Sequence, residues 1–170
     1  MKGIIRLGVT LFLVCAIAAG GLSFVADFTA KPIAEQARRE QQDALKLVAP
    51  RASEFTEVAN GRWEATAAGA SVGRVVAVKA KGYSGPIALA IGIDPEGKVS
   101  GVRVLSQTET PGLGAKVASL SFLSQFVGKA GAALALRKDD AAAGGVDAVA
   151  AATISSRAVS RAVRAAVEGN

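Results

Sequence analysis

Histidine is absent from all 170 residues. With it go the imidazole general base, the axial histidine of haem proteins and the commonest zinc ligand. A Ser-His-Asp hydrolase is therefore excluded. Cysteine occurs once, at Cys15 inside a hydrophobic run, so the chain offers neither an internal disulfide nor the thiolates of a Cys-ligated iron–sulfur cluster. Any redox chemistry must use an organic cofactor. Aromatic residues make up only 5% of the chain, which leaves Val, Leu, Ile and Ala to build the core. The net charge of +6 is modest, and no basic stripe interleaved with aromatics appears, so nucleic acid is not an expected partner.

What the chain does have begins with residues 7–26, twenty positions without a charge. At 1.5 Å per residue they are long enough to cross a hydrocarbon layer of ~30 Å. Lys2 and Arg6 precede this run and Asp27 follows it, an asymmetry that places residues 1–6 in the cytoplasm and the rest outside, in the periplasm of a Gram-negative cell. A cleavable signal peptide is the rival reading, because Ala16-Ile17-Ala18 offers a small-residue cleavage site. The apolar run continues past that site through Leu22, Phe24 and Val25, as an anchor requires.

Residues 27–50 read as an extracytoplasmic stalk with a helix from Lys31 to Val48. Pro32 would lie in its first turn, and Ile33, Ala34, Ala37, Ala44, Leu45 and Val48 are its apolar positions. Residues 51–170 form the main domain. Its start gives little signal beyond a short strand expected around Trp63. From Arg74 to Leu105, three β-rich runs separated by turn residues predict an antiparallel meander, with Asp94-Pro95-Glu96-Gly97 as the second turn. Helices are expected over 115–126 and 154–167, and a further strand over 133–137. The fold class is α+β.

The chemistry concentrates in two stretches, Glu109-Thr110-Pro111-Gly112-Leu113-Gly114 and Asp147 to Arg157. In the second, an Asp and a run of small residues lead to Thr153 at the start of a helix, where backbone amides suit a phosphate. The arrangement resembles the flavinylation motif of FMN-binding domains, Asp-x-x-Ser/Thr-Gly-Ala-Thr, with Asp147, Ala152 and Thr153 matching. Gly82-Tyr83-Ser84-Gly85-Pro86-Ile87 and the Glu109–Gly114 segment are similar to two further segments of the RnfG family of Rnf-type electron transport complexes, in the same order. Ala150 and Ala151 depart from the motif's Ser/Thr and Gly, and Gly is the residue that reaches left-handed backbone angles without cost.

The resemblance implies FMN linked covalently to Thr153 through a phosphoester bond, and a separate flavin transferase that attaches it. It also implies that Glu109, Thr110, Gly112, Leu113 and Gly114 lie near the flavin. Asp147, Ala152 and Arg157, one turn beyond Thr153, complete the expected cofactor-binding set. The chain is then an electron-transfer subunit of an oxidoreductase complex in the inner membrane, assembled with other membrane subunits. It is a substrate of the transferase and not a stand-alone catalyst. Two alternatives stay open, a scaffold subunit without flavin and an extracytoplasmic domain that binds free FMN.

Overall fold

The computed structural model describes residues 2–169. Met1 and Asn170, the ends of the expected first and last segments, lie outside the described residues, as do the side chains of Lys2, Ile4, Asp27, Lys31, Ile33, Ala34 and Ala37. The chain forms two compact units, Met1–Glu40 and Gln41–Asn170.

The first unit is helical. Helix α1 runs over Lys2–Val48, so the stalk helix expected to begin at Lys31 continues directly from the apolar helix, with Pro32 inside it. An interior proline removes one donor and usually costs about 3 kcal/mol. No glycine or other stop signal lies between Asp27 and Lys31 to end the helix there, and the Thr29 hydroxyl donates to the carbonyl of Val25 at 2.8 Å. Within α1 the stretch Ile5–Ala30 is long and apolar enough to cross a membrane, and none of its most apolar window is buried.

The second unit is built on a five-stranded sheet in which each strand pairs antiparallel with the next. Its strands are β1 (Glu54–Ala59), β2 (Arg62–Ala67), β3 (Ala70–Lys81), β4 (Pro86–Ile93) and β5 (Val99–Gln107). The expected meander is β3 to β5. The two strands before it were not expected except near Trp63, although Asn60-Gly61 marks their hairpin, and Gly61 has φ 74°. Between β4 and β5 the Asp94 carboxylate accepts from the N–H groups of Glu96 and Lys98, and Gly97 N–H donates to the Asp94 carbonyl at 3.0 Å.

Alternation along β4 separates two cores. Ile87, Leu89, Ile91 and Ile93 point to one face, with Val76, Phe122, Phe126, Val159 and Val163. Helix α3 (Thr153–Glu168) lies over this face. Ala90 points to the other face, with Leu45, Val48, Trp63, Ala65 and Val75. There the last turns of α1 seat directly on the strands. The Ser100 hydroxyl donates to the Val48 carbonyl at 2.7 Å. A Cβ on Gly101 would meet Val48 Cα at 2.7 Å, and one on Gly92 would run into the Val48 carbonyl.

Two expectations need correction. The continuous helix over 115–126 is broken into a 3-10 turn (Gly114–Ala118), one short α-helix, α2 (Leu120–Leu123), and a second 3-10 turn (Ser124–Phe126). Ser119 has extended backbone, φ −69° and ψ 144°, and interrupts the run so that Val117, Phe122 and Phe126 all reach the core. In place of a strand over 133–137 there is a 3-10 turn (Gly131–Leu134) and a single parallel bridge between Leu136 and Val146. Leu134 and Leu136 are buried there as core anchors.

Candidate functional site

The three segments singled out in the sequence meet around one carboxylate. Glu109, two residues beyond the end of β5, is only 5% exposed. Its Oε1 accepts from the N–H of Ser84 at 3.0 Å and of Gly85 at 3.4 Å, and its Oε2 accepts from the Ser155 hydroxyl at 2.5 Å. Burial pushes this carboxyl's pKa up. The hydrogen bonds from Ser155 and from the N–H groups of Ser84, Gly85 and Tyr83 together outweigh it and hold the group below its usual value, ionised at neutral pH. Glycines permit the approach, since a Cβ on Gly82 would collide with Oε1 and one on Gly114 with Oε2.

Around this anchor lies a cavity of about 420 Å³ lined by Tyr83, Thr110, Leu113 and Gly114 on one side and by residues 151–155 on the other. Its rim is apolar and open, with Tyr83 71%, Leu113 46% and Ile154 53% exposed. The Thr110 and Ser84 hydroxyls are 3.2 Å apart.

Thr153 is the first residue of α3 and lines the cavity. The approach to it is a tight loop. Ala152 N–H donates to the Val149 carbonyl, while the Ser156 hydroxyl donates to the Ala152 carbonyl and accepts from Val149 N–H. Ala151 has φ 61°, so the left-handed angle that the motif's glycine supplies is adopted here by an alanine. Ala152 at the N-cap makes no side-chain cap hydrogen bond, which leaves the first-turn amides of a 16-residue helix uncapped beside the Thr153 hydroxyl. That hydroxyl has no hydrogen-bond partner among the described residues. Ser155, two positions on, is 1% exposed and committed to Glu109.

Of the expected set, the structure gathers Glu109, Thr110, Leu113, Gly114, Ala152 and Thr153 at the cavity. Gly112 takes φ 75° in the turn that Leu113 N–H closes on the Thr110 carbonyl, and it does not line the cavity. Neither do Asp147 and Arg157. Asp147 is exposed, 3.5 Å from Arg137, and its backbone N–H donates to the Gln125 side-chain oxygen at 2.8 Å. Arg157 makes two hydrogen bonds of 2.6 Å to Asp139, which lowers the Asp139 pKa through that pairing. Tyr83 and Ile154 line the cavity and lie outside the expected set. Their signal in the sequence is the neighbouring glycines and Thr153, not any periodicity.

A larger concavity, about 860 Å³, lies elsewhere, between β2, β3 and the end of α3, and includes none of these residues. The cavity of about 420 Å³ is the one that brings the three segments together. An open apolar mouth beside uncapped helix amides fits a flat aromatic ring that ends in a phosphate, and the volume falls within the ~300–1,000 Å³ usual for small-molecule sites.

The chain belongs to the FMN-binding domain family, whose match covers residues 82–168. Its residues 1–48 match the RnfG N-terminal region. Among curated relatives, it is 37% identical to the G component of the proton-translocating ferredoxin:NAD(+) oxidoreductase complex of Clostridium ljungdahlii, over 83% of this chain and 78% of that one. It is 32% identical to the G component of the ion-translocating oxidoreductase complex of Methanosarcina acetivorans, over 98% and 94%. Among solved structures it is similar to Shewanella oneidensis NqrC, with TM-score 0.53 and 28% identity, over 62% of this chain and 54% of that one. These findings support FMN as the cofactor, and the one membrane-long apolar span among the described residues supports a single membrane pass.

Proposed function

We propose that this chain is the membrane-anchored flavoprotein subunit of an Rnf-type ion-translocating electron transport complex, and that it relays electrons through FMN joined to Thr153 by a phosphoester bond. The observation that carries this reading is the free Thr153 hydroxyl, set in the cavity wall at an uncapped helix N-terminus. A flavin transferase is the maturation partner. Thr153 Oγ1 attacks the FMN phosphorus of FAD, the P–O bond of the pyrophosphate breaks, AMP leaves and the hydroxyl proton passes to a base of the transferase. The α3 amides hold the phosphate. When bound, FMN supplies the electron chemistry.

In this reading Leu113 and Tyr83 flank the ring, Thr110 offers it a hydrogen bond and the Gly114 backbone allows close approach. Gly112 shapes the turn that presents Leu113. Asp147 faces the transferase from the surface, and Arg157 steadies the first turns of α3 through Asp139. The Ala150 and Ala151 departures are compatible with attachment, because Ala151 already holds the left-handed angle. We further propose residues 1–6 in the cytoplasm, 7–26 across the inner membrane, 27–50 as the extracytoplasmic stalk and 51–170 as the FMN domain in the periplasm, among the other membrane subunits.

The test is coexpression of the full chain with a flavin transferase, read as FMN mass on the intact chain and as in-gel fluorescence. Thr153→Ala should carry none. Thr153→Ser should carry some, because the oxygen remains, and Thr153→Val none, because only the shape does. Covalent flavin on Thr153→Ala would overturn the assignment, and flavin that dialyses away from the natural chain would favour a free-FMN domain.

A further inference from the structure

A second groove, of about 480 Å³, adjoins the cofactor cavity, and Ile154 lines both. It runs between the end of β3 and the face of α3. Its polar lining is cationic throughout, with Lys79 and Lys81 from the strand and Arg157 and Arg161 from the helix, and the remainder is small and apolar. No carboxylate lines it. Arg157 is neutralised by Asp139. Lys79, Lys81 and Arg161 enter no salt bridge among the described residues. Lys79, Lys81 and Arg161 are all exposed.

Surface lysines and arginines are ordinarily just solvated. These three differ by sharing one concavity and by bordering the apolar rim of Tyr83, Leu113 and Ile154. An apolar patch beside charges of one sign is the anatomy of a small interface that must form and release quickly, with charge setting the approach and register. The placement also decides the class of partner. A membrane surface laid on this groove would cover the mouth of the cavity, whereas a protein that exchanges electrons with a cofactor held there has to come to that mouth.

We propose that Lys79, Lys81 and Arg161, with the rim of Tyr83, Leu113 and Ile154, form the docking surface for an acidic face of the protein that exchanges electrons with this subunit. The proposal rests on the cavity being the cofactor site.

The test uses the assembled complex in its membrane. A photo-crosslinking amino acid at position 79 or 161 should link to an Asp/Glu-rich segment of another subunit, and the link should fade at high salt. The triple variant Lys79→Glu, Lys81→Glu, Arg161→Glu should slow electron transfer through the complex about ten-fold or more at low ionic strength, with the flavin content unchanged. Replacing the crosslinked acids by Lys should restore the rate. Should the triple variant fail to assemble, Lys79→Gln with Lys81→Gln keeps the stems and should slow transfer in the same direction by a smaller factor. Crosslinks to lipid alone, to the flavin transferase alone or to nothing, or a rate indifferent to the substitutions, would overturn the proposal. Failure of the flavin reading shows separately, as an intact mass without FMN, and the crosslinks do not depend on it.

Discussion

The two faces of the sheet solve different problems with the same strands. On the α3 face, β4 presents Ile87, Leu89, Ile91 and Ile93, all at most 1% exposed, against Val159 and Val163. On the other face the same strand presents Ala90 and Gly92, and Val48 of α1 comes down onto its backbone. Branched side chains hold a helix away from a sheet and lock its position through many small contacts, whereas glycine and alanine let a helix end touch the strands. The first face positions the helix that carries Thr153. The second seats the end of the N-terminal helix.

That contrast is most sharply broken from the filled side. Leu89→Ala removes side-chain volume from the face that carries α3 and should cost ~2–5 kcal/mol, measured by urea unfolding of the full chain in detergent. Because α3 loses its bed, the flavinylated fraction should fall as well. A variant that unfolds earlier yet loads flavin normally would separate α3 placement from this core.

Gly101→Ala attacks the thin side. Its methyl group would press on Val48 Cα at 2.7 Å, and overpacking of this kind costs ~1–3 kcal/mol. Flavin loading should hold, since no cavity residue is touched. Reduced loading would show that the two faces are coupled through the strands.

Glu109 tests the seam where the site meets the sheet. Its folded pKa lies below the unfolded value of about 4.3. The stability it contributes is therefore complete above that value and is lost as pH falls through the folded pKa. Glu109→Gln should cost on the order of 1–2 kcal/mol at neutral pH, because an amide NH₂ must face some of the donors. It should also flatten the dependence of stability on pH below about 4.3. An unchanged acid limb in the urea midpoint would remove Glu109 as the titrating group.

Ala151→Gly should give the smallest effect. Relief of the left-handed strain at φ 61° is worth ~1–2 kcal/mol, and the greater freedom of glycine in the unfolded chain takes back about half of it. A net gain of less than ~1 kcal/mol is expected in thermal unfolding, along with a higher flavinylated fraction. A loss of stability would show that the loop prefers alanine for reasons other than backbone angle.

Legibility followed the range of the interactions. The meander of β3 to β5 is readable because alternation and turn residues are local, and so is α3, with Val159, Val163 and Val167 recurring every four residues. The run over 115–126 reads as one helix because its composition allows one. The need to bring Val117, Phe122 and Phe126 into a single core breaks it instead. Arg157 stands out in the sequence for its distance from Thr153 along the helix. Its pairing with Asp139, 18 residues away, leaves no local trace.

By itself the sequence determined the β3 to β5 meander and helix α3, the apolar span, the absence of imidazole and thiolate chemistry, and the Thr153 motif, because each depends on residue type and short spacing. Only the tertiary structure decided that Glu109 gathers the Ser84–Gly85 turn, Gly114 and Ser155 into one wall. It likewise decided that Ser155 is spent while Thr153 is free, and that Asp147 and Arg157 stand outside the cavity. A buried carboxylate takes whichever donors the fold brings to it, and Ser155 lies 46 residues away along the chain.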